Sequence, residues 1–517
     1  MTQLKDKLLW QLLRMRRPAV TAVTSLTKRN LTTAHAVPLI NSGYDIESPD
    51  ILFGSRSWRW LRPATSLESD LDDWNRHHTR MGLPYMTINA DCEITEDMWR
   101  QTLIHLRNQM PGLRMVILPR NNEKWICHIN NMDIFLKMHE NVEPLDIVDE
   151  MLDEGLDEGP WVCRVIKANQ DDACRFANDK ESKPYQYYFF LACHHGIFDG
   201  YSGALMIRFV INNLNALLAG KHIDDKVQLC QPRRGDEIIA KKVRLKEKFI
   251  NDPKWFQREK ERLLSTFKTP LLNEAYPYPN VSTPKTSTLI RTSNQVVLNA
   301  FHKQCKSAGV SVTNGLVAIA NTAIVEMVRD AGILRDSYHL TLNTNVDLRR
   351  YMNVHPWTAT GMLVGAMHQS MHPTKDVRNE FWEHANIIQE DARTLLKTDG
   401  ALIESVIREM AIPRVDPDVV FNSTNATKIQ RDYTFNNLKD LTDVFYDPKR
   451  HKHAVVTESK TIQALQNFNP MMFSLATFRG IPQLTLAYST NYLSQETAEE
   501  LMERFVLLVR DKSQIKL

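Results

Sequence analysis

The 517-residue chain lacks an excess of charge of either sign: 64 Lys and Arg stand against 61 Asp and Glu, a net charge of +3. A nucleic-acid-binding protein would normally show a basic face or stripe, so this balance argues against that class. Glycine (18) and proline (23) are modest, which excludes collagen-like and low-complexity architectures. Cysteine is sparse as well. Cys92, Cys127, Cys163, Cys174, Cys193, Cys230 and Cys305 are scattered, odd in number and without a C-x-x-C spacing. That pattern reads as a reduced compartment and not as a disulfide framework or a zinc site. The four N-x-[ST] sequons, at Asn30, Asn280, Asn422 and Asn425, are accordingly read as chance. No run is long and apolar enough to cross a bilayer. Residues 310–328 come nearest, but Asn314, Asn321 and Glu326 interrupt them, and they read as a buried helix with Thr313 near its start. Also missing are a G-x-S-x-G elbow, a G-x-G-x-x-G turn, a P-loop and an H-E-x-x-H helix, which removes the main competing chemistries.

What is present is an ordinary globular composition, 43% hydrophobic and 24% charged, enough for a large core. At roughly 100–200 residues per domain the length suits two to four domains, or two large ones. Residues 1–36 stand apart. They hold seven Lys or Arg and one acid, Asp6, with Leu4, Leu8, Trp10, Leu12 and Leu13 ahead of Pro18. Three readings stay open: a terminal helix packed on the body, a mitochondrial transit peptide, and a membrane-surface helix over residues 1–17. The expected location is cytoplasmic, with the mitochondrion or a membrane surface as alternatives.

The expected organisation is the basic segment at 1–36, a first half at 37–230, a charged and proline-rich crossover at 231–286, and a second half at 287–517. Residues 231–266 are densely charged and read as one solvated helix. Four prolines between Lys268 and Pro284 suit an extended crossing. Each half mixes helices and strands, an α/β (α+β mixed-sheet) pattern. In the first, Thr95 heads a helix with Trp99, Leu103, Leu106 and Met110 on one face, and strands follow at 113–119, 161–165 and 185–193. In the second, 298–307 and 313–329 read as helices and 339–347 as a strand. Residues 471–478 and 483–488 read as a hairpin turning at Arg479-Gly480. Ser494 caps a last helix that buries Leu501, Met502, Phe505 and Val509. Two such halves should leave a cleft between them, a usual place for ligands.

The chemistry-bearing segment is Cys193-His194-His195-Gly196-Ile197-Phe198-Asp199-Gly200. It follows the aromatic strand directly. A helix follows it, with Leu205, Met206, Phe209, Val210 and Leu214 at helical spacing and Gly220 as its C′ residue. His195 thus falls where a strand ends and the chain turns, with Gly196 and Gly200 permitting unusual backbone angles. Asp199 stands near a helix N-terminus, which favours a carboxylate. A histidine, with an ordinary pKa of about 6.5, can serve there as general base toward a hydroxyl or amine. The bland alternative is a His-His pair that merely ends a buried strand. A metal site is a third reading, but no further His or Cys lies at ligand spacing. His451 and His453 read as loop surface.

The string His194-His195-x-x-x-Asp199-Gly200 resembles the HHxxxDG motif of the chloramphenicol-acetyltransferase-like superfamily, which includes coenzyme A-dependent acyltransferases and condensation domains. The resemblance extends along most of the chain. Residues 103–117, 159–165 and 311–314 resemble family segments. So does Asn345-Val-Asp-Leu-Arg-Arg350, which resembles the "vDLR" strand end, with residues 361–365 at suitable distance beyond it. The resemblance implies two similar subdomains around a central tunnel, with thioester donor and acceptor entering from opposite faces. It implies that His195 is the base, that His194 is structural, and that Asp199 pairs with an arginine. Arg349 is the expected arginine, with Arg350 competing. Gly200 would leave room for the thioester arm. An oxyanion stabiliser is also expected, and Asn422 or Ser423 is the candidate.

The DFGWG motif of the plant branch is absent. The chain is therefore more similar to alcohol acetyltransferases, fungal toxin O-acetyltransferases and condensation domains. No carrier-protein segment is evident and no adenylation domain would fit. The implied activity is transfer of an acyl group, acetyl by expectation, from coenzyme A to a hydroxyl of a small hydrophobic acceptor such as a secondary metabolite. No metal or permanently bound cofactor, no nucleic-acid partner and a monomeric state are expected. Condensation of carrier-bound groups, and a non-catalytic acyl-coenzyme A-binding relative, are the alternatives.

Overall fold

A computed structural model describes residues 57–75, 81–156, 159–168, 183–226, 228–282, 284–355, 358–411, 430–465 and 470–515. Residues 1–36 as a whole, Asn422 and Ser423 lie outside the described residues.

The chain is a mixed α/β protein with two principal sheets. The first half opens with β1 (Trp58–Pro63), α1 (Ser66–Asn75), β2 (Met81–Ala90) and α2 (Glu96–Gln109). Then come β3 (Met115–Arg120), β4 (Glu123–Ile129), β5 (Leu136–Glu140), α3 (Pro144–Glu154), β6 (Trp161–Lys167), β7 (Tyr185–His194) and α4 (Gly200–Leu218). β7 is rich in aromatic and aliphatic residues from Tyr187 to Cys193 because both of its faces are covered. Tyr187, Phe189 and Leu191 pack under α2 and α4 with Trp99, Leu106, Leu205 and Met206. Phe190 and Ala192 turn the other way, against α3 with Ile147 and Met151. Period-two alternation thus serves two cores from one strand. Trp99 stacks on Phe189 with ring centroids 5.5 Å apart. The predicted cap holds, since Thr95 accepts from the Met98 N–H.

The connection corrects the single solvated helix predicted over 231–266. β8 (Gln231–Pro232) leads into α5 (Asp236–Asn251) and α6 (Pro253–Ser265). The break falls where Asp252 caps α6 by accepting from the Trp255 N–H and Pro253 takes the first helical position. Nor is the pair merely solvated: Ile238, Leu245, Phe249 and Leu263 are buried, and Lys242 pairs with Glu409 at 2.6 Å.

The second half contains β9 (Thr286–Thr292), α7 (Gln295–Ser307), α8 (Val312–Asp330), β10 (Leu340–Asp347), β11 (Ala359–Thr360), β12 (Val364–Met371), α9 (Phe381–Lys397) and α10 (Gly400–Ala411). It ends with β13 (Tyr433–Asp440), β14 (Ala454–Gln463), β15 (Met471–Phe478), β16 (Ile481–Ser489) and α11 (Gln495–Ser513). α8, the near-apolar run, is buried along almost its whole length among α7, α9 and α11. No single described helix is long and apolar enough to cross a membrane. β15 and β16 form the predicted hairpin, with Arg479 (φ 47°) and Gly480 (φ 76°) both left-handed, as a two-residue turn requires.

Sheet order ties the halves together. The six-stranded sheet runs β12-β10-β13-β15-β16-β9, and the five-stranded sheet runs β14-β2-β7-β6-β5. β14, from late in the chain, therefore pairs antiparallel with β2, joining Ala454 to Ala90 and Ile462 to Leu83. A second tie is small: β8 pairs in parallel with β11, Gln231 against Ala359.

Candidate active site

The histidine loop leaves the end of β7 and enters α4 within five residues. At its first corner His194 is buried. Its Nδ1 accepts from the Gly196 N–H at 3.0 Å, so its other ring nitrogen carries the proton and donates to Asp72 Oδ1 at 3.1 Å. Asp72, on α1, also takes Lys124 Nζ at 2.6 Å, and Lys124 pairs with Asp73 as well. His194 is thus a strut between the loop and α1.

His195 is half-buried. Its Nδ1 lies 2.8 Å from the Phe198 carbonyl oxygen. A carbonyl only accepts, so Nδ1 carries the hydrogen and Nε2 is the basic nitrogen of the neutral ring. The loop's own backbone sets the tautomer that general-base catalysis needs.

Asp199 caps α4, its Oδ1 accepting from the Ser202 N–H and hydroxyl at 2.8 Å each. The same carboxylate holds Arg349, with Nη1 to Oδ2 at 2.7 Å and Nη2 to Oδ1 at 3.1 Å. The pair is side-on and bidentate, the stronger geometry for guanidinium and carboxylate. Arg349 is 3% exposed and Asp199 6%, so both charges are out of water. Burial works against the guanidinium charge. Asp199 and then Asp347 outweigh it and hold the Arg349 pKa above its ordinary value. The local cause of Arg349's placement is Asp347. It ends β10, caps the one-turn 3-10 helix Leu348–Tyr351 through the Arg349 N–H at 3.0 Å, and accepts from Nη1 at 3.1 Å. Arg349 Nε then donates to the Ala359 carbonyl, and the guanidinium lies 4.8 Å from the Tyr201 ring centroid. Arg350 stands exposed beside it.

The sequence reading marked residues 361–365 only as a segment and did not foresee the contacts by which they complete this junction. The Leu363 N–H donates to Asp199 Oδ2 at 3.1 Å, and the Gly361 N–H donates to Ser202 Oγ at 3.1 Å. Gly361 sits at φ +140°, and a Cβ there would come within 2.7 Å of the Arg233 carbonyl oxygen, so the close approach requires glycine. Ser202 had a local signal, a hydroxyl three residues after a capping aspartate. Asp72 and Lys124 had none, since they lie 122 and 70 positions from His194 in the sequence. Gly200 is exposed, and a Cβ on it would meet no atom within 4 Å. His451 corrects the surface reading: it is 4% exposed, its Nε2 donates to Asn212 Oδ1 at 3.0 Å, and it accepts from the Asp447 N–H. His453, half-exposed, pairs with Asp91. Among the described residues no group of three or more His, Cys, Asp or Glu could hold a metal ion.

The arrangement is a mixed α/β fold in which a tautomer-fixed histidine lies at a loop held by a buried cross-half ion pair. Residues 175–426 match the alcohol acetyltransferase family model. No curated protein matches the sequence. Among solved structures the chain is similar to the TRI3 trichothecene 15-O-acetyltransferase of Fusarium sporotrichioides, with a TM-score of 0.64 at 11% identity over 89% of this chain and 96% of that one. It is also similar to the condensation domain of the Monacolin K polyketide synthase MokA, with a TM-score of 0.60 at 10% identity over 88% and 98%. The first condensation domain of the CDA synthetase gives 0.59 at 11% identity over 88% and 99%. The fold is that of the chloramphenicol-acetyltransferase-like superfamily. Residues 175–426 are the part that matches the alcohol acetyltransferase model, and that match supports an acyltransferase.

Proposed function

We propose that the protein transfers an acyl group, acetyl in the first instance, from coenzyme A to a hydroxyl of a small hydrophobic acceptor. The observation that carries this reading is the His195 Nδ1–H bond to the Phe198 carbonyl, which makes Nε2 the base. Nε2 takes the acceptor's hydroxyl proton as its oxygen attacks the thioester carbonyl carbon. The tetrahedral intermediate then collapses, the carbon–sulfur bond breaks, and the departing sulfur takes the proton back from the imidazolium. The products are an ester and free coenzyme A, with no covalent enzyme intermediate. Asp199 and Arg349 act through the loop by holding its shape, His194 is structural, and Gly200 keeps space for the thioester arm. The oxyanion donor is assigned to Asn422 or Ser423, in the matched segment.

The test is release of free coenzyme A from acetyl-coenzyme A with a panel of alcohols, wild type against His195→Ala. General-base assistance is worth about 10²–10⁴ in rate, and the variant should lose that much. Full turnover by the alanine variant would refute the assignment. The condensation-domain neighbours favour one second reading, a carrier-bound donor. That reading requires activity with a phosphopantetheinylated carrier protein and none with acetyl-coenzyme A. The first half at 37–230 and the second at 287–517, in a cytoplasmic monomer, are the organisation this reading adopts.

A further inference from the structure

The small sheet of the first half, ordered β1-β4-β3, gathers positive charge that no acid answers among the described residues. Arg59 on β1 stands directly opposite His128 on β4, and His128 stands opposite Met115 on β3. Directly opposed residues of antiparallel strands share a face, with Cβ atoms about 4.5–5.5 Å apart. Arg114, one position before Met115, ends the 3-10 turn Pro111–Arg114 that feeds β3. Arg59 is exposed, Arg114 is half-buried and His128 is 7% exposed, so the group reaches from solvent into the fold.

Polar atoms of this group are left over. His128 Nδ1 and Arg114 Nε are both buried without a hydrogen-bond partner. Neither Arg59 nor Arg114 has an ion pair or a side-chain hydrogen bond among the described residues. Burial, then the charges of Arg114 and Arg59, hold the His128 pKa down at about 4. Burial, then Arg59, lowers that of Arg114. Arg107 on α2 also feels the charge of Arg114, and it is Arg107 that Asp133 and Asp225 compensate. Buried polar groups almost always find a partner, so two orphaned atoms beside two uncompensated guanidinium groups mark a place for an anion. With His128 neutral, two positive charges remain to be answered. A phosphate dianion matches that count, and an arginine fork fits a pair of its oxygens. A carboxylate brings a single charge and would leave one guanidinium unanswered.

We propose that Arg59, Arg114 and His128 form a phosphate-binding subsite on the β1-β4-β3 sheet, the two guanidinium groups holding the oxygens and His128 Nδ1 serving as the inner donor. The ligand is free phosphate or the phosphate of a monoester. The assignment is independent of the acyl-transfer reading, and its test needs no turnover.

The test is calorimetric titration of the full chain with inorganic phosphate, glycerol phosphate and acetate, at constant ionic strength and about pH 8, where phosphate is dianionic. Wild type should bind one phosphate per chain, and saturating phosphate should raise its melting temperature. Acetate should do neither. Loss of either guanidinium, in Arg59→Gln or Arg114→Gln, should weaken phosphate binding at least about tenfold. Arg59→Glu, at an exposed position, should stay folded and abolish binding, because it gives Arg114 a carboxylate of the chain's own. The proposal is overturned if wild type takes up no phosphate, if the arginine variants bind it as wild type does, or if acetate binds equally well. Tighter binding of glycerol phosphate would identify the head group of an organic ligand, and a preference for inorganic phosphate would identify the free ion. Both results uphold the site.

Discussion

At the scale of single residues the site rests on two buried charges that need each other. Removing one partner of a buried pair strands the other, at a typical cost of 3–5 kcal/mol. Arg349→Ala should therefore lower the unfolding free energy by about that amount, measured by chemical denaturation. Arg350→Ala, one position along and exposed, should stay within about 0.5 kcal/mol of wild type. Sequence alone left both arginines in play. What separates them is the cap made by Asp347, which aims Arg349 inward. Gly200 offers the complementary case. Space is open around it and its backbone is ordinary, so Gly200→Val should leave the melting temperature nearly unchanged while acetyl-coenzyme A turnover falls at least about tenfold through crowding of the arm.

At the scale of elements, α1 matters more than its length suggests. It carries Asp72 to His194, and Glu68 on the same helix accepts both guanidinium nitrogens of Arg62 at 2.7 and 2.8 Å. Asp72→Ala would leave the His194 N–H without its acceptor, at a cost of about 1–3 kcal/mol. It would also loosen the turn that aims His195. The expected result is a lower kcat with acceptor KM little changed, checked by steady-state kinetics on the folded variant. This brace was invisible in the sequence because a salt-bridged aspartate far from the motif looks like any other acid. The elements that were legible had local causes. Thr95 and Ser494 are caps accepting from backbone amides, Arg479-Gly480 is a turn, and β7 is a run of aromatics. The predicted helix over 231–266 split because Asp252-Pro253 both ends one helix and starts the next, and dense charge hid that punctuation.

At the scale of the molecule the interior disfavours protonated histidine. Burial, reinforced by nearby arginines, pushes His128 down to about 4 and His368 to about 3, and burial alone pushes His384 to about 4. His451 falls to about 4, mainly through burial. Each is neutral in the fold at a pH where the unfolded chain, with an ordinary value near 6.5, takes up a proton. The unfolded state then binds more protons, so stability is lost as pH falls from about 6.5 toward 4. The limit is about 1.4 kcal/mol per pH unit for each such group. Glu404 acts in the same direction at lower pH. Burial opposes its charge, but the hydrogen bonds from His368 and Arg262 hold it below the ordinary carboxylate value, so its contribution fades below about 4.5. Melting temperatures across pH 7 to 4 should fall steadily, and His384→Gln should reduce the slope. The α/β class and the place of the histidine loop could be read from pattern and motif. Long-range pairing could not, since nothing in residues 454–463 names β2 as their partner.

That strand exchange limits how the polypeptide can be divided. A fragment ending in the proline-rich crossover would present β2 with one raw edge, and edges of that kind invite aggregation. The remaining fragment would carry an orphan strand meant for a sheet it no longer has. The two pieces are expected to survive only as complements made together, so a split version of this enzyme would report the meeting of its parts.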